Sequence, residues 1–233
     1  MQAASDRDLT RQGQVSARFT TAIGQLGSNH PEVQIGGIYG LEQITRQAPE
    51  NRLAVTEVLT TYVHRRAARP AAAKPPHNPS ASQSLRSRAP DVQAALTVLG
   101  RRVTQRDDPI LDLHGLDLHN ADLFVAEFPR TGFSEVDLTN ADLANAKFTY
   151  STFSGADLSG ADLSGADLNA TDFTRAHLDG ADLRHAALKG ADLRSASLTR
   201  ANLQDASADQ YTQWPPGFDW RRAGVRFDRS ELK

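Results

Sequence analysis

Carboxylates at a fixed spacing are the first chemical feature of this 233-residue chain. Asp122, Asp142, Asp162 and Asp182 recur every twenty residues, and Asp117, Asp137 and Asp157 form a second series with the same step. Such rows can hold turns, attract cations or present regular negative charge to a partner. Acid–base catalysis by two carboxylates needs an apolar setting that separates their pKa values, and no pair here has one. The seven histidines, His30, His64, His77, His114, His119, His177 and His185, show no His-Glu-x-x-His or similar ligand spacing. Cysteine is absent, which removes thiolate nucleophiles, disulfides and Cys-ligated metals. With no glycine-rich phosphate loop and no Gly-x-Ser-x-Gly elbow, the chain is expected to be no enzyme, with no cofactor and no metal site.

The elements that position the aspartates follow from an internal repeat. From Leu111 to Asp205 the sequence divides into nineteen five-residue units without insertion, and the centre of every unit is Leu or Phe. Two residues before each centre stands a small side chain, most often Ala, as in Ala121, Ala141, Ala161 and Ala181. A period of five fits neither a helix at 3.6 nor a plain strand at 2. Within a unit, however, the two apolar positions lie two apart, which is strand alternation and sends both side chains inward. The remaining positions, rich in Gly, Asn, Ser and Thr, are turn chemistry. A short strand and a tight corner, repeated, wind into a hollow four-sided stack.

Units reading Ala-Asp-Leu-x-Gly or Ala-Asp-Leu-x-Asn resemble the pentapeptide-repeat family. That resemblance implies a mainly β fold, a right-handed quadrilateral β-helix with four units per coil, over residues 111–205. Positions twenty apart then stack, giving slightly under five coils and about 23 Å of stem. Phe133, Phe153 and Phe173 fall on one face and Phe128 and Phe148 on another, whereas three or five units per coil would scatter them. The inward positions are structural, and only outward walls are left to engage anything.

A stack of coils has an open strand edge at each end, which must be covered. Residues 91–108 are expected to plug the first coil with a helix that Asp91 caps, its stripe running through Val92, Leu96, Leu99 and Val103. Residues 206–233 concentrate aromatics beside prolines, from Tyr211 through Trp214-Pro215-Pro216-Gly217-Phe218-Asp219-Trp220. They are similar to the tail of many actinobacterial members and read as an aromatic cap or, alternatively, a partner surface. Residues 1–69 read as an α-helical bundle with helices around 6–26, from Pro31, and around 50–68. Residues 70–90, rich in Pro, Ala and Ser, read as a flexible linker. The segments from Phe19 to Ser28 and from Val33 to Glu42 are similar to a helical region that precedes the repeats in actinobacterial relatives. Those relatives often carry membrane spans upstream, and no span is read in this chain, which is expected to be cytoplasmic.

Charge is divided by region. Residues 111–205 hold 15 acidic and 7 basic side chains, net −8, whereas residues 1–110 are net +5. Over residues 111–170 the excess corresponds to one charge per roughly 1.8 Å, against about 1.7 Å for duplex DNA. Two readings of the aspartates stay open: corner hydrogen bonding, or imitation of a DNA rod. Relatives in the quinolone-resistance branch bind DNA gyrase by such mimicry, so the resemblance implies a type II topoisomerase as a candidate partner. The leading expectation is a protein-binding scaffold with an unidentified protein partner, topoisomerase modulation being the alternative. Direct nucleic-acid binding has the wrong sign of charge. The expected partner-binding residues are Asp117, Asp122, Asp137, Asp142, Asp157 and Asp162, together with outward Phe124 and Val125, which should be covered by the bundle, the linker or a partner.

Overall fold

The computed structural model describes residues 2–69 and 83–228. All nineteen central Leu and Phe side chains of the repeat are buried, Leu198 being the most accessible at 9%. Parallel bridges join residues twenty apart on four faces, as in Asp117–Asp137–Asp157, Asp122–Asp142–Asp162, Glu127–Lys147–Asp167 and Gly132–Thr152–Asp172. Four units therefore complete one coil. Regular strands are only two residues long, β1 (Leu111–Asp112) on β2 (Thr131–Gly132) and β3 (Ser207–Ala208) on β4 (Arg226–Phe227). Each unit offers one ladder residue and then turns, so pairing is dense while strands stay short.

The interior stacks by side-chain type. Phe133 lies 4.9 Å from Phe153, and Phe153 lies 5.3 Å from Phe173, with rings parallel. Phe128 stacks on Phe148 at 6.2 Å, and the two columns meet edge to face, as in Phe148 against Phe153 at 5.2 Å. Both geometries suit the ring quadrupole.

Every fifth residue, from Gly115 to Asp205, turns the corner with a left-handed backbone. At Gly160 a Cβ would lie 2.6 Å from Asn140 Oδ1, so a larger residue there would have to displace the Asn140 side chain, whereas glycine fits and takes the left-handed φ without strain. Val125, at φ 52°, is the costly exception, because a β-branched side chain is disfavoured there.

Among the described residues, five α-helices precede the stem: α1 (Gln2–Leu26), α2 (Pro31–Gln47), α3 (Arg52–Ala67), α4 (Leu85–Arg88) and α5 (Pro90–Leu99). Helix α2 starts with proline at its first turn and buries Gln34, Gly37, Ile38, Leu41 and Ile44, a stripe of helical spacing. Gly37 lets α1 approach, since a Cβ there would meet Ala22 O at 2.7 Å.

The linker expected at 70–90 is corrected where it can be seen: 70–82 lie outside the described residues, but 83–90 contain α4 and the start of α5. Leu85 is fully buried and anchors this segment. The capping role expected of Asp91 is also corrected. Ala89 occupies the cap position, and Asp91 sits inside α5, fully buried, accepting hydrogen bonds from Tyr62 Oη at 2.7 Å and Arg66 Nε at 2.8 Å. Helix α5 stops at Leu99, so Val103 leaves the stripe and is 77% exposed.

The top edge of the first coil is covered face by face. Residues leaving α3 pair antiparallel with it, Ala68 opposite Leu116, with Asp117 N donating to Ala67 O at 2.8 Å and Arg69 N to Gly115 O at 3.1 Å. On the next face the buried amide of Gln93 stands in for a strand, donating from Nε2 to Asp122 O at 2.6 Å and accepting from Asp122 N at 3.0 Å. On the third, Glu127 N donates to Gly100 O at 2.8 Å. Gly100 is held so close that a Cβ would lie 2.9 Å from Ala126 Cβ. The fourth face begins with β1 itself.

At the other end the ladder outlasts the repeat. Asp192 pairs with Gln213, and Ser207 with Arg226, steps that depart from twenty by one residue yet keep the backbone bonded. Trp214, Phe218 and Trp220 pack against the core, Trp214 stacking on Phe218 at 5.4 Å and Trp220 on Phe227 at 5.3 Å. Tyr211 stays exposed.

Truncating Phe153 to Ala is expected to cost about 3–5 kcal/mol in urea denaturation, because the stacked column cannot collapse around the gap. A loss under 1 kcal/mol would mean the column is loosely packed. For Asp91, burial pushes the carboxyl upward, but Arg66 and Tyr62 outweigh it and hold the pKa below the usual carboxylate value. The stabilisation is therefore complete above the ordinary carboxylate range and is lost as pH falls through the depressed folded value. Asp91→Asn should cost on the order of 3 kcal/mol at pH 7, and its deficit against wild type should narrow at pH 3. A deficit independent of pH would contradict the ionised assignment.

Candidate interaction surface

The aspartates of the repeat serve the corners first. Each places Oδ1 on the N–H two residues ahead: Asp137 to Thr139 N at 3.1 Å, Asp142 to Ala144 N at 3.1 Å, Asp157 to Ser159 N at 3.0 Å and Asp162 to Ser164 N at 2.9 Å. This is the Asx turn, satisfying a corner donor that the ladder leaves over. The turn bond occupies one lone pair of one oxygen in each residue, so the carboxylate keeps acceptor capacity for second partners.

Those second partners differ along the stem. On the first coil, Arg88 donates to Asp117 Oδ1 at 2.9 Å, where His119 Nδ1 also lies 2.5 Å away, and Arg86 donates to Asp122 Oδ2 at 2.9 Å. Both arginines come from α4, so the chain neutralises the start of its own acidic rows. Toward the far end, Arg184 forks onto Asp182 with contacts of 2.9 and 2.6 Å, and Arg194 treats Asp192 alike. These guanidinium bonds hold both carboxyls below the usual range. Lys147 reaches across coils to Glu127 at 2.6 Å. Between these ends, Asp142, Asp157 and Asp162 form no ion pair among the described residues.

The eight residues expected to meet a partner therefore separate. Asp142, Asp157 and Asp162 reach the surface, with Asp142 the most open. Asp137 does not: it is 5% exposed, with Oδ1 also taking the Thr139 hydroxyl at 2.8 Å, and it is withdrawn from the expected surface. Phe124 and Val125 are 51% and 55% exposed, so the described residues do not cover them; of the expected covers, 70–82 lie outside the described residues and a partner remains a proposal. Helix α4 is directed onto the adjacent corner, where Leu85 N donates to Asn120 O at 3.1 Å. Sequence reasoning missed Arg86 and Arg88 because Ser and Pro around them looked like linker. The buried Leu85 beside two arginines was the available signal.

A separate cleft of about 470 Å³ lies between α3, the segment after α5 and the first coil. Leu53, Val103 and Ile110 line it and are exposed, and no Ser or His is among its lining residues. Burial on its inner side pushes Arg102 down to about 10, while its guanidinium lies over Phe128 at 5.6 Å and donates to Leu99 O at 2.8 Å.

Comparison with known proteins agrees with this architecture. The pattern described as pentapeptide repeats, in 8 copies, matches residues 126–165, 137–175 and 176–210. A pentapeptide repeat protein from Nostoc Pcc 7120 is 38% identical, over 44% of this chain and 84% of that one, with TM-score 0.43. The pentapeptide repeat protein Rfr23 from the cyanobacterium Cyanothece 51142 is 26% identical, over 45% and 88%, with TM-score 0.41. QnrB1, a plasmid-mediated fluoroquinolone resistance protein, is 20% identical, over 52% and 82%, with TM-score 0.23, a level that conveys no function. No curated protein matches the chain. With the five-residue period filling a four-sided interior and that identity across most of the Nostoc protein, the chain belongs to the pentapeptide-repeat family.

Proposed function

We propose that this protein is a non-enzymatic binding or scaffolding module whose partner docks on the outward wall bearing Asp142, Asp157 and Asp162. The observation that carries the reading is the split between a filled interior and these carboxylates, which lack an ion pair among the described residues. A basic segment of a partner protein fits this wall. The corner at Phe124 and Val125 adjoins the row, one coil above Ala144 and Asn145. Holding valine in a left-handed corner costs roughly 1–2 kcal/mol that Asn or Gly would not incur, which favours a contact role for this apolar corner.

Modulation of a topoisomerase by imitating DNA is the second reading, and the overall charge density favours it. The ion pairs weigh against it. Arg86 and Arg88 neutralise the first coil and Arg184 and Arg194 the later ones, so on the wall of the two aspartate rows the stretch without ion pairs among the described residues spans about two coils, roughly 10 Å, and Lys147 interrupts the adjacent face.

Partners cross-linked to the wild-type chain at low salt should be lost from the Asp142→Asn, Asp157→Asn, Asp162→Asn triple variant and weakened at high salt. Retention of the same set by the variant would remove the acidic wall from consideration. In a gyrase supercoiling assay, micromolar protein should leave the rate unchanged. Inhibition that the triple variant abolishes would instead establish the DNA-mimic reading.

A further inference from the structure

Three groups that are scattered in sequence meet where the helices join the stem. His64, in the last turn of α3, places Nε2 2.9 Å from Asp112 O, and His114, beside the first corner, places Nδ1 2.9 Å from each carboxylate oxygen of Asp112. One potential ligand atom from each of His64, Asp112 and His114 lies within 4.8 Å of the others, and the two imidazole centroids are 5.4 Å apart. We propose that His64, Asp112 and His114 form a divalent-cation site, suited to zinc, that fastens α3 to the first coil.

The donor set is two imidazoles and one carboxylate, three protein ligands that leave a fourth tetrahedral position for water. Both imidazoles now face oxygens of Asp112, and a ring N–H in such a contact can give way to a metal ion. The carboxylate is already oriented, because His114 N donates to Asp112 Oδ1 at 3.1 Å. Space exists beside it as well. The residue stacked beneath Asp112 is Gly132, where a Cβ would come within 3.4 Å of Asp112 Oδ1, while lower coils carry Thr152, Asp172 and Asp192 in that column.

A neighbouring cluster of similar composition shows what disqualifies a site. Asp117, His119 and Asp137 also converge, but Arg88 donates to Asp117 Oδ1 at 2.9 Å and lies 3.1 Å from His119 Nδ1. A guanidinium already fills that position, and its charge repels a second cation. Among the described residues, Asp112 makes no ion pair with an arginine or lysine, and its pair is with His114. Ligand spacing in the sequence concealed the site, since His64 and His114 belong to different elements and come together only when the cap seats.

Isothermal titration of the full chain with zinc chloride at pH 7.5 is expected to give one ion per chain. At a hundredfold excess over Kd the thermal midpoint should rise by roughly 5–10 °C. His114→Ala and Asp112→Asn should each abolish that binding and that shift, and His64→Ala should do the same. His119→Ala should bind as wild type. Binding should weaken as the solution is made more acidic, because ligation requires deprotonated donors. Circular dichroism of each metal-free variant separates loss of ligand from loss of fold, and His114→Ala, on the exposed corner, is the variant least able to disturb packing. Zinc bound equally by the His114→Ala and His64→Ala chains, or no binding by folded wild type below millimolar concentration, would overturn the proposal.

Discussion

The backbone edge of a coil is the constraint on which the remaining structure depends. Each face of the stem carries donors and acceptors that must find partners in the next coil, and the first and last coils lack one neighbour. At the top, three unrelated devices meet the same need: an antiparallel strand end at Ala68, a side-chain amide at Gln93 and a helix-terminal carbonyl at Gly100. Their variety shows that the ladder demands hydrogen-bonding groups at set positions and is indifferent to what supplies them. The helical region is fixed by this demand, and the buried Tyr62–Asp91–Arg66 contact then ties α3 to α5 from behind.

The stem was largely legible because its code is local. A five-residue period places Leu or Phe inside whatever the neighbours are, and with four units per coil, as the family resemblance implied, the columns at Phe133, Phe153 and Phe173 followed. The ends were less legible for the same reason. Gln93, Gly100 and Leu85 act through residues about thirty positions away, and no periodicity announces such a contact. Asp91 shows the limit well: its place beside Pro90 suggested a cap, whereas tertiary packing turned it inward toward Tyr62 and Arg66.

The candidate surface was legible in position but not in state. Spacing put Asp117 and Asp122 on outward walls. It could not show that Arg86 and Arg88 would fold back onto them, because those arginines sit in a stretch whose composition reads as disordered. Nor could spacing separate Asp137, withdrawn between Asp117 and Asp157, from its open counterpart Asp142. Burial within a repeat is set by what stacks above and below, and those neighbours vary while the consensus does not.

The antiparallel join between Ala68 and Leu116 gives the molecule a direction of growth. Every bridge within the stem runs parallel, so a second stem arriving at that end finds its docking edge already taken by a chain of opposite sense. The cap precedes the coils in the chain, so synthesis delivers the template before the material it organises. Each later coil then has a paired edge above it, and the strand edge at Leu116 is closed to a parallel neighbour.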